Sequence, residues 1–243
     1  MEDQVLTEAE RQRGQFRLIG LAVTGSMNNA LVTSISSLFL LALGASPFQV
    51  GLLATVHHLE RATRLVGVQL IPRLGKAGLM FWGRTASLLP TAGLAVLAFW
   101  SHSGTAAIWA GLALLGARGL LQQTGNTAWW PLIQDNTRKN ALGAFMARLR
   151  TRQRALELVL PLLVGGYLGA RPPGRDFALP FALALATTAM GAWFVRRVSK
   201  RPLPPPTDGL MRRVLDAFRI PSIRRISVYM VGYNALRSAS RGT

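Results

Sequence analysis

A stretch of 39 residues, from 18 to 56, contains no Asp, Glu, Lys or Arg, and a second such stretch covers 33 residues, from 85 to 117. One helix needs roughly 20 apolar residues to cross a lipid bilayer, so each stretch is too long for one crossing and must fold back. Turn-forming residues lie near both midpoints, at 44–47 and 101–104. The sequence therefore predicts two membrane crossings in each stretch.

Basic residues greatly outnumber acidic ones, but they occur in short clusters between the uncharged stretches. The 243 residues include 28 Lys and Arg against 10 Asp and Glu, a net charge of +18, although only 16% of the chain is charged. A soluble nucleic-acid-binding domain would spread such cations over its surface, and a disordered tail would be polar. The clusters indicate loops of a multi-span membrane protein that face anionic lipid, and no nucleic-acid partner is expected.

The pattern predicts an all-α integral membrane protein with six transmembrane helices. We expect them at about 18–43, 48–71, 78–100, 105–133, 141–170 and 177–195. This transmembrane domain (18–195) follows a polar amino-terminal arm (1–17) and precedes a basic, proline-rich linker (196–222). Residues 223–243 begin a further apolar pattern that is too short to cross a bilayer, so we expect a partial seventh helix in which the chain is truncated.

The distribution of cations predicts the orientation of these helices. Twenty Lys and Arg lie on the side of the membrane that holds the arm and the linker, whereas only Arg171 and Arg175 lie on the other side. Cytoplasmic loops carry the excess of Lys and Arg in membrane proteins. We therefore predict a multi-pass protein of the cell membrane, plasma or inner, with its amino terminus and linker in the cytoplasm.

Ionisable and polar residues inside the predicted helices point to a polar interior, because such residues are costly in contact with lipid. They occur on the first, second, fourth and fifth helices. The predicted substrate or ion pathway is lined by Asn29, Glu60, Arg61, Arg118, Gln122 and Glu157.

Alternatives remain open for some of these residues. The stripe of Ser, Thr and Asn on the first helix is also the pattern that holds neighbouring helices together without a ligand. Glu60 and Glu157 either pair with Arg118 or Arg61, or carry the proton of a coupled transporter. Arg84 lies close to the start of the third helix and is expected to extend to the cytoplasmic face.

Sequence motifs of common enzyme classes are absent. The chain has no GxxxxGK[ST], HExxH, GxSxG or GxGxxG. It has no cysteine, which excludes disulfides and thiolate metal sites, and His57 and His58 lack a third ligand at metal spacing. We therefore expect no enzyme activity, no metal and no cofactor.

Three segments and the predicted topology resemble one family of transporters. Residues 73–76, Arg-Leu-Gly-Lys, resemble the end of the loop motif Gly-x-x-x-Asp-Arg-x-Gly-Arg-Arg, and residues 114–118, Leu-x-x-x-Arg, resemble a fourth-helix motif that continues to Gln-Gly. Residues 130–135, followed by Arg138, resemble the junction between the fourth and fifth helices. With six helices and a long linker, these motifs resemble the amino-terminal half of the major facilitator superfamily.

The resemblance implies a fold and a mechanism. The fold is a six-helix bundle built as a 3+3 inverted repeat, and two such halves rock around a site near mid-membrane. The implied function is secondary active transport of a small solute by alternating access, in which Arg118 is tied to proton coupling. A cytoplasmic gating cluster would consist of Arg73, Lys76, Asp135 and Arg138.

The six predicted helices amount to only one of the two halves. A transporting unit would then need a separate carboxy-terminal half or a second copy of this chain. The alternative function is that of a non-transporting membrane scaffold or an inactive truncated fragment. The sequence indicates neither the substrate nor the direction of transport.

Overall fold

The computed structural model describes residues 7–100, 104–170 and 172–198, which are almost entirely helical and contain no strand. All of them belong to one of the two compact units into which the chain divides, Met1–Leu203. The predicted partial seventh helix and nearly all of the predicted linker lie outside the described residues.

Nine α-helices occur in the described ranges. They are α1 (Glu8–Val32), α2 (Ser36–Ala42), α3 (Pro47–Ala62), α4 (Arg64–Leu74), α5 (Lys76–Trp100), α6 (Thr105–Asn126), α7 (Trp129–Asn136), α8 (Leu142–Leu168) and α9 (Ala178–Arg196). Short breaks whose first residue keeps a helical backbone separate α1 from α2, α3 from α4 and α6 from α7, whereas Gly75, with a φ of 73°, interrupts the helical backbone between α4 and α5. The nine helices therefore form six helical stretches at the six predicted places.

Three of these stretches, among the residues that the structure describes, are long and apolar enough to cross a membrane. They are Glu8–Ala42, Thr105–Asn136 and Gly174–Arg196. Charged residues lower the hydropathy of the others, for example Glu60 in α3 and Arg84 in α5. The all-helical fold is confirmed, whereas six membrane crossings remain a prediction.

The first helix begins earlier than the sequence predicts, at Glu8 instead of residue 18. Thr7 and Glu10 form a capping box there. The Thr7 hydroxyl accepts a hydrogen bond from the backbone N–H of Glu10 at 3.3 Å, and the Glu10 carboxylate accepts one from the backbone N–H of Thr7 at 2.8 Å. Because this box satisfies free backbone donors, residues 8–17 of the predicted polar arm are helical.

Two apolar clusters occupy different parts of the bundle. One contains Phe39, Leu94, Leu112 and Phe181, and the other contains Leu18, Met80, Ile133, Phe145 and Val195. Each of α1, α5 and α9 contributes to both clusters.

Buried polar residues on these same helices lie between the two clusters along the chain. They include Asn28 on α1, Ser87 on α5 and Thr188 on α9. The helices pack closely there, because α5 contacts both α6 and α9, and α1 contacts α8 and α9. A Cβ atom on Gly83 of α5 would lie only 2.7 Å from the Cα atom of Gly125 on α6. The bundle therefore has a polar layer, and close helix packing positions its side chains.

Candidate functional site

A cavity of about 500 Å³ is lined by residues of the polar layer. Its wall includes parts of α1, α3, α4, α5, α6, α7 and α8. The ionisable lining residues are Glu60, Arg64, Arg84, Arg118 and Glu157. The cavity is therefore a polar space shared by most of the described helices.

Asn28 connects three helices at the cavity wall. Its amide nitrogen donates hydrogen bonds to the backbone oxygen of Ala184, at 2.9 Å, and to the hydroxyl of Thr188. Its amide oxygen accepts hydrogen bonds from the Arg118 guanidinium and from the Gln122 amide, the latter at 3.2 Å. All of the hydrogen-bonding directions of Asn28 are therefore fixed, and its oxygen orients Arg118.

Asn29, which the sequence favours for the pathway, also lines the cavity, but its side chain is exposed. Asn28 is 2% exposed and makes the hydrogen bonds described above. The two residues are neighbours on α1, so about 100° of helix rotation separates their directions. The polar stripe indicated the helix correctly, but it could not select which asparagine forms the contacts.

Arg84 does not extend to the surface, so the expectation that it reaches the cytoplasmic face is wrong. Its side chain is 9% exposed and lines the cavity. Gly25 on α1 and Gly191 on α9 leave space for its guanidinium, since a Cβ atom on Gly191 would lie 2.5 Å from Nη1. Two glycines on different helices thus create a niche that no local sequence pattern reveals.

Glu60 is buried against α6. A Cβ atom on Gly119 would collide with its carboxyl group, and its Oε1 atom has no hydrogen-bond partner. Glu60 interacts electrostatically with Arg118, although no ion pair joins them within 4 Å in the part of the chain that the structure describes. The predicted pairing of Glu60 with Arg118 is therefore present only as electrostatic attraction over more than 4 Å, without direct contact of the two charged groups.

Glu157 has a different partner from the one suggested by the sequence. It lines the cavity from α8 and forms an ion pair with Arg154 at 2.9 Å, one turn earlier on the same helix. The alternative in which Glu157 pairs with Arg118 or Arg61 is not found. Residues three apart on a helix are neighbours, which explains the local pairing.

Arg61 does not line the cavity, and its side chain is exposed. Because Glu60 points inward, the next residue on α3 points away by about 100°. Arg64 lines the cavity instead and donates hydrogen bonds of 3.1 and 2.8 Å to the side-chain oxygen of Gln123. Arg64 and not Arg61 therefore contributes to this cavity, and the assignment of Arg61 to the pathway stays a prediction.

The four residues predicted to form a gating cluster divide between two ion pairs and one exposed cation. Lys76 pairs with Asp135 at 2.7 Å, and both side chains are mostly buried. Arg138 pairs with Glu8, at 2.6 Å, on the exposed surface. Arg73 is exposed and has no ion pair with any residue that the structure describes. A gating role for these residues stays a prediction.

Within the described ranges, no three His, Asp or Glu side chains group together in a way that could hold a metal ion. The arrangement of the cavity is instead suited to binding by hydrogen bonds and charge. Arginine guanidinium groups and side-chain amides are directed at a space large enough for a small molecule.

Comparison with known proteins identifies the fold. No protein-family model matches the sequence, and no curated protein matches it. The crystal structure of a peptide transporter POT, a mutant form in complex with sulfate, is similar with a TM-score of 0.62 and 17% sequence identity. The similarity covers 90% of this chain and 46% of the other, so this chain spans about half the length of that transporter.

At this level of identity the comparison shows the fold alone. The fold is similar to about half of that transporter, and three helical stretches of the described residues are long and apolar enough to cross a membrane. The similar structure belongs to a transporter and not to an enzyme.

Proposed function

We propose that this protein is a secondary active transporter of a small solute and works by alternating access. The cavity carries the proposal, because it lies in a transporter-like fold and buries Glu60, Arg84 and Arg118 around an open space. Charged side chains within a bilayer are costly, and a membrane scaffold would gain nothing from gathering them there. The alternative of a non-transporting scaffold or inactive fragment leaves this arrangement without a use.

We further propose that all six helical stretches cross the cell membrane as the amino-terminal half of a major facilitator superfamily transporter. The resemblance in the loop and helix motifs supports this assignment, as does the similar fold. On α8, the large apolar side chains of Leu158, Leu162 and Leu163 are each more than 60% exposed. Such a surface fits contact with lipid or with another half, although α8 also carries charged residues.

We propose that the site is completed by a second six-helix half. The similar transporter is about twice as long as the matched region, which supports this proposal. We propose Glu60 as the proton-carrying carboxylate, because it is buried and forms no ion pair with the residues that the structure describes, whereas Glu157 is paired with Arg154.

Transport can be tested in proteoliposomes containing the full chain, alone and with any protein that copurifies with it. A mixture of labelled metabolites is supplied with and without a proton gradient, and uptake is measured by mass spectrometry. We expect gradient-dependent uptake of at least one solute, its loss in Arg118→Leu, and normal uptake in the exposed-site control Arg150→Gln. Absence of uptake in every preparation would support the scaffold.

The proposed orientation can be tested because the chain has no cysteine. Thr105→Cys and Asn140→Cys introduce thiols at exposed positions at opposite ends of the α6–α7 stretch. We expect an impermeant maleimide to label Thr105→Cys in intact cells and Asn140→Cys only after the cells are opened. The reverse pattern would place the amino terminus outside.

A further inference from the structure

We propose that Arg84 anchors an anion-binding subsite in the cavity, so that the transported solute carries a carboxylate or another oxyanion. This inference rests on the proposed transport function and adds the chemical class of the solute. Its starting point is a buried guanidinium for which the described protein supplies no partner.

Arg84 lines the cavity, and only 9% of its surface is exposed. Its Nε atom has no hydrogen-bond partner, and no carboxylate lies within 4 Å of its guanidinium in the described residues. A buried charge without a partner is strongly unfavourable. A bound oxyanion would remove this penalty, because a guanidinium can donate two parallel hydrogen bonds to a carboxylate.

Arg118 provides a second cation for the same subsite. It lines the cavity, is 5% exposed and leaves its own Nε atom without a partner. Arg84 and Arg118 are close enough to repel each other electrostatically. An anion bound between them would turn this repulsion into two attractions.

The remaining charged groups of the cavity leave Arg84 available. Glu60 attracts Arg118, while Glu157 is paired with Arg154. Arg64 donates to Gln123. Three arginines and two glutamates thus line the cavity, so its lining carries an excess of positive charge that favours an anion.

The niche of Arg84 strengthens the assignment. Gly25 and Gly191 accommodate the guanidinium from two sides, and a side chain on Gly191 would displace it. If this residue served only to hold the helices together, the space beside Gly25 and Gly191 would not be needed. A smaller uncharged residue would then pack between the helices without the cost of burying a charge. The niche therefore holds the guanidinium at the cavity wall.

The subsite can be tested by binding to the purified full chain in neutral detergent. The probes are glutarate, neutral glutaramide and cationic pentane-1,5-diamine, which have similar lengths but different charges. Binding is followed by thermal unfolding and by tryptophan fluorescence, because Trp129 and Trp130 line the cavity. We expect glutarate to bind and the two other probes to have no effect.

The variants are Arg84→Gln, Arg84→Lys and the exposed control Arg150→Gln. We expect glutarate to bind Arg84→Gln roughly tenfold or more weakly, since charged hydrogen bonds are lost. Arg84→Lys should keep part of the affinity, and Arg150→Gln all of it. If Arg84→Gln fails to fold, the weaker binding expected of Arg84→Lys relative to Arg150→Gln tests the same point.

Three results would overturn the subsite. The wild type would not bind glutarate, the Arg84 variants would bind glutarate as tightly as the wild type does, or the protein would prefer glutaramide or the diamine to glutarate. Uptake of a neutral or cationic solute without glutarate binding would refute the subsite and leave the transport proposal intact. Glutarate binding that depends on Arg84, with no uptake of any solute, would uphold the subsite and refute transport.

Discussion

The cavity and the two ion pairs Lys76–Asp135 and Arg138–Glu8 all contain cations, but only in the pairs does each cation have a carboxylate partner. Lys76 has Asp135 and Arg138 has Glu8, each at 2.7 Å or less. In the cavity, Arg84 has no carboxylate within 4 Å among the described residues. The cations of the two pairs are neutralised within the chain, whereas Arg84 is the cavity cation that the proposed anion would neutralise.

The largest effect is expected where a mostly buried pair is broken. In Asp135→Asn, Lys76 keeps its charge and loses its counter-ion, with only 16% of its side chain exposed. We expect the free energy of unfolding in detergent to fall by about 3 kcal/mol.

The double variant Lys76→Met, Asp135→Leu provides the control for this prediction. It removes both charges, so we expect it to recover most of the lost stability. Chemical unfolding measured by circular dichroism gives both values. A loss below about 0.5 kcal/mol in Asp135→Asn would mean that the pair contributes as little as an exposed one.

A smaller loss is expected on the hydrogen-bonded side of the cavity. In Arg118→Leu, the oxygen of Asn28 loses its charged donor but keeps the amide of Gln122, and Glu60 loses its nearby cation. Hydrogen bonds to charged groups contribute about 2 kcal/mol, and we expect a loss of that size. Stability equal to that of Arg150→Gln would show that the Arg118–Asn28 contact adds nothing.

At Arg84 we expect a substitution to increase the stability of the protein instead of lowering it. Because its guanidinium makes no hydrogen bond to the described residues, Arg84→Leu removes a buried charge without removing a hydrogen bond or an ion pair. We expect the free energy of unfolding to rise by about 1 kcal/mol, measured in the same way. A loss as large as that of Arg118→Leu would mean that Arg84 has a structural role, and the contrast between the two regions would disappear.

The positions of the helices could be predicted from the sequence, and their rotations could not. The hydropathy pattern located six helical stretches, because crossing length and turn residues are local properties. The early start of α1 was also encoded locally, in the capping box of Thr7 and Glu10, but was outweighed by the polar composition of residues 8–17.

The cavity depends on which face of each helix meets its neighbours. Asn28 and Asn29 differ by one residue, as do Glu60 and Arg61, yet one member of each pair is buried and the other is exposed. The niche of Arg84 requires a glycine from α1 and another from α9. The pattern of a single helix does not reveal such contacts between distant parts of the chain, which is why the sequence placed Arg84 at the cytoplasmic face and not in the cavity.

The smallest effect is expected at the exposed pair of Arg138 and Glu8, whose side chains are 58% and 56% exposed. Water screens this pair, and ordering two long side chains offsets much of the attraction. A double-mutant cycle with Arg138→Gln and Glu8→Gln should give a coupling energy of about 0.5 kcal/mol or less. The cycle is needed because Glu8 also lies in the first turn of α1, where a negative charge is favourable without any partner.

Adding 1 M salt should abolish the coupling between Arg138 and Glu8, because the screening length then falls to about 3 Å, whereas the Lys76–Asp135 coupling should persist. A coupling energy of about 2 kcal/mol between Arg138 and Glu8 that persists in salt would contradict this prediction. It would mean that the exposed pair stabilises the fold as the mostly buried Lys76–Asp135 pair does.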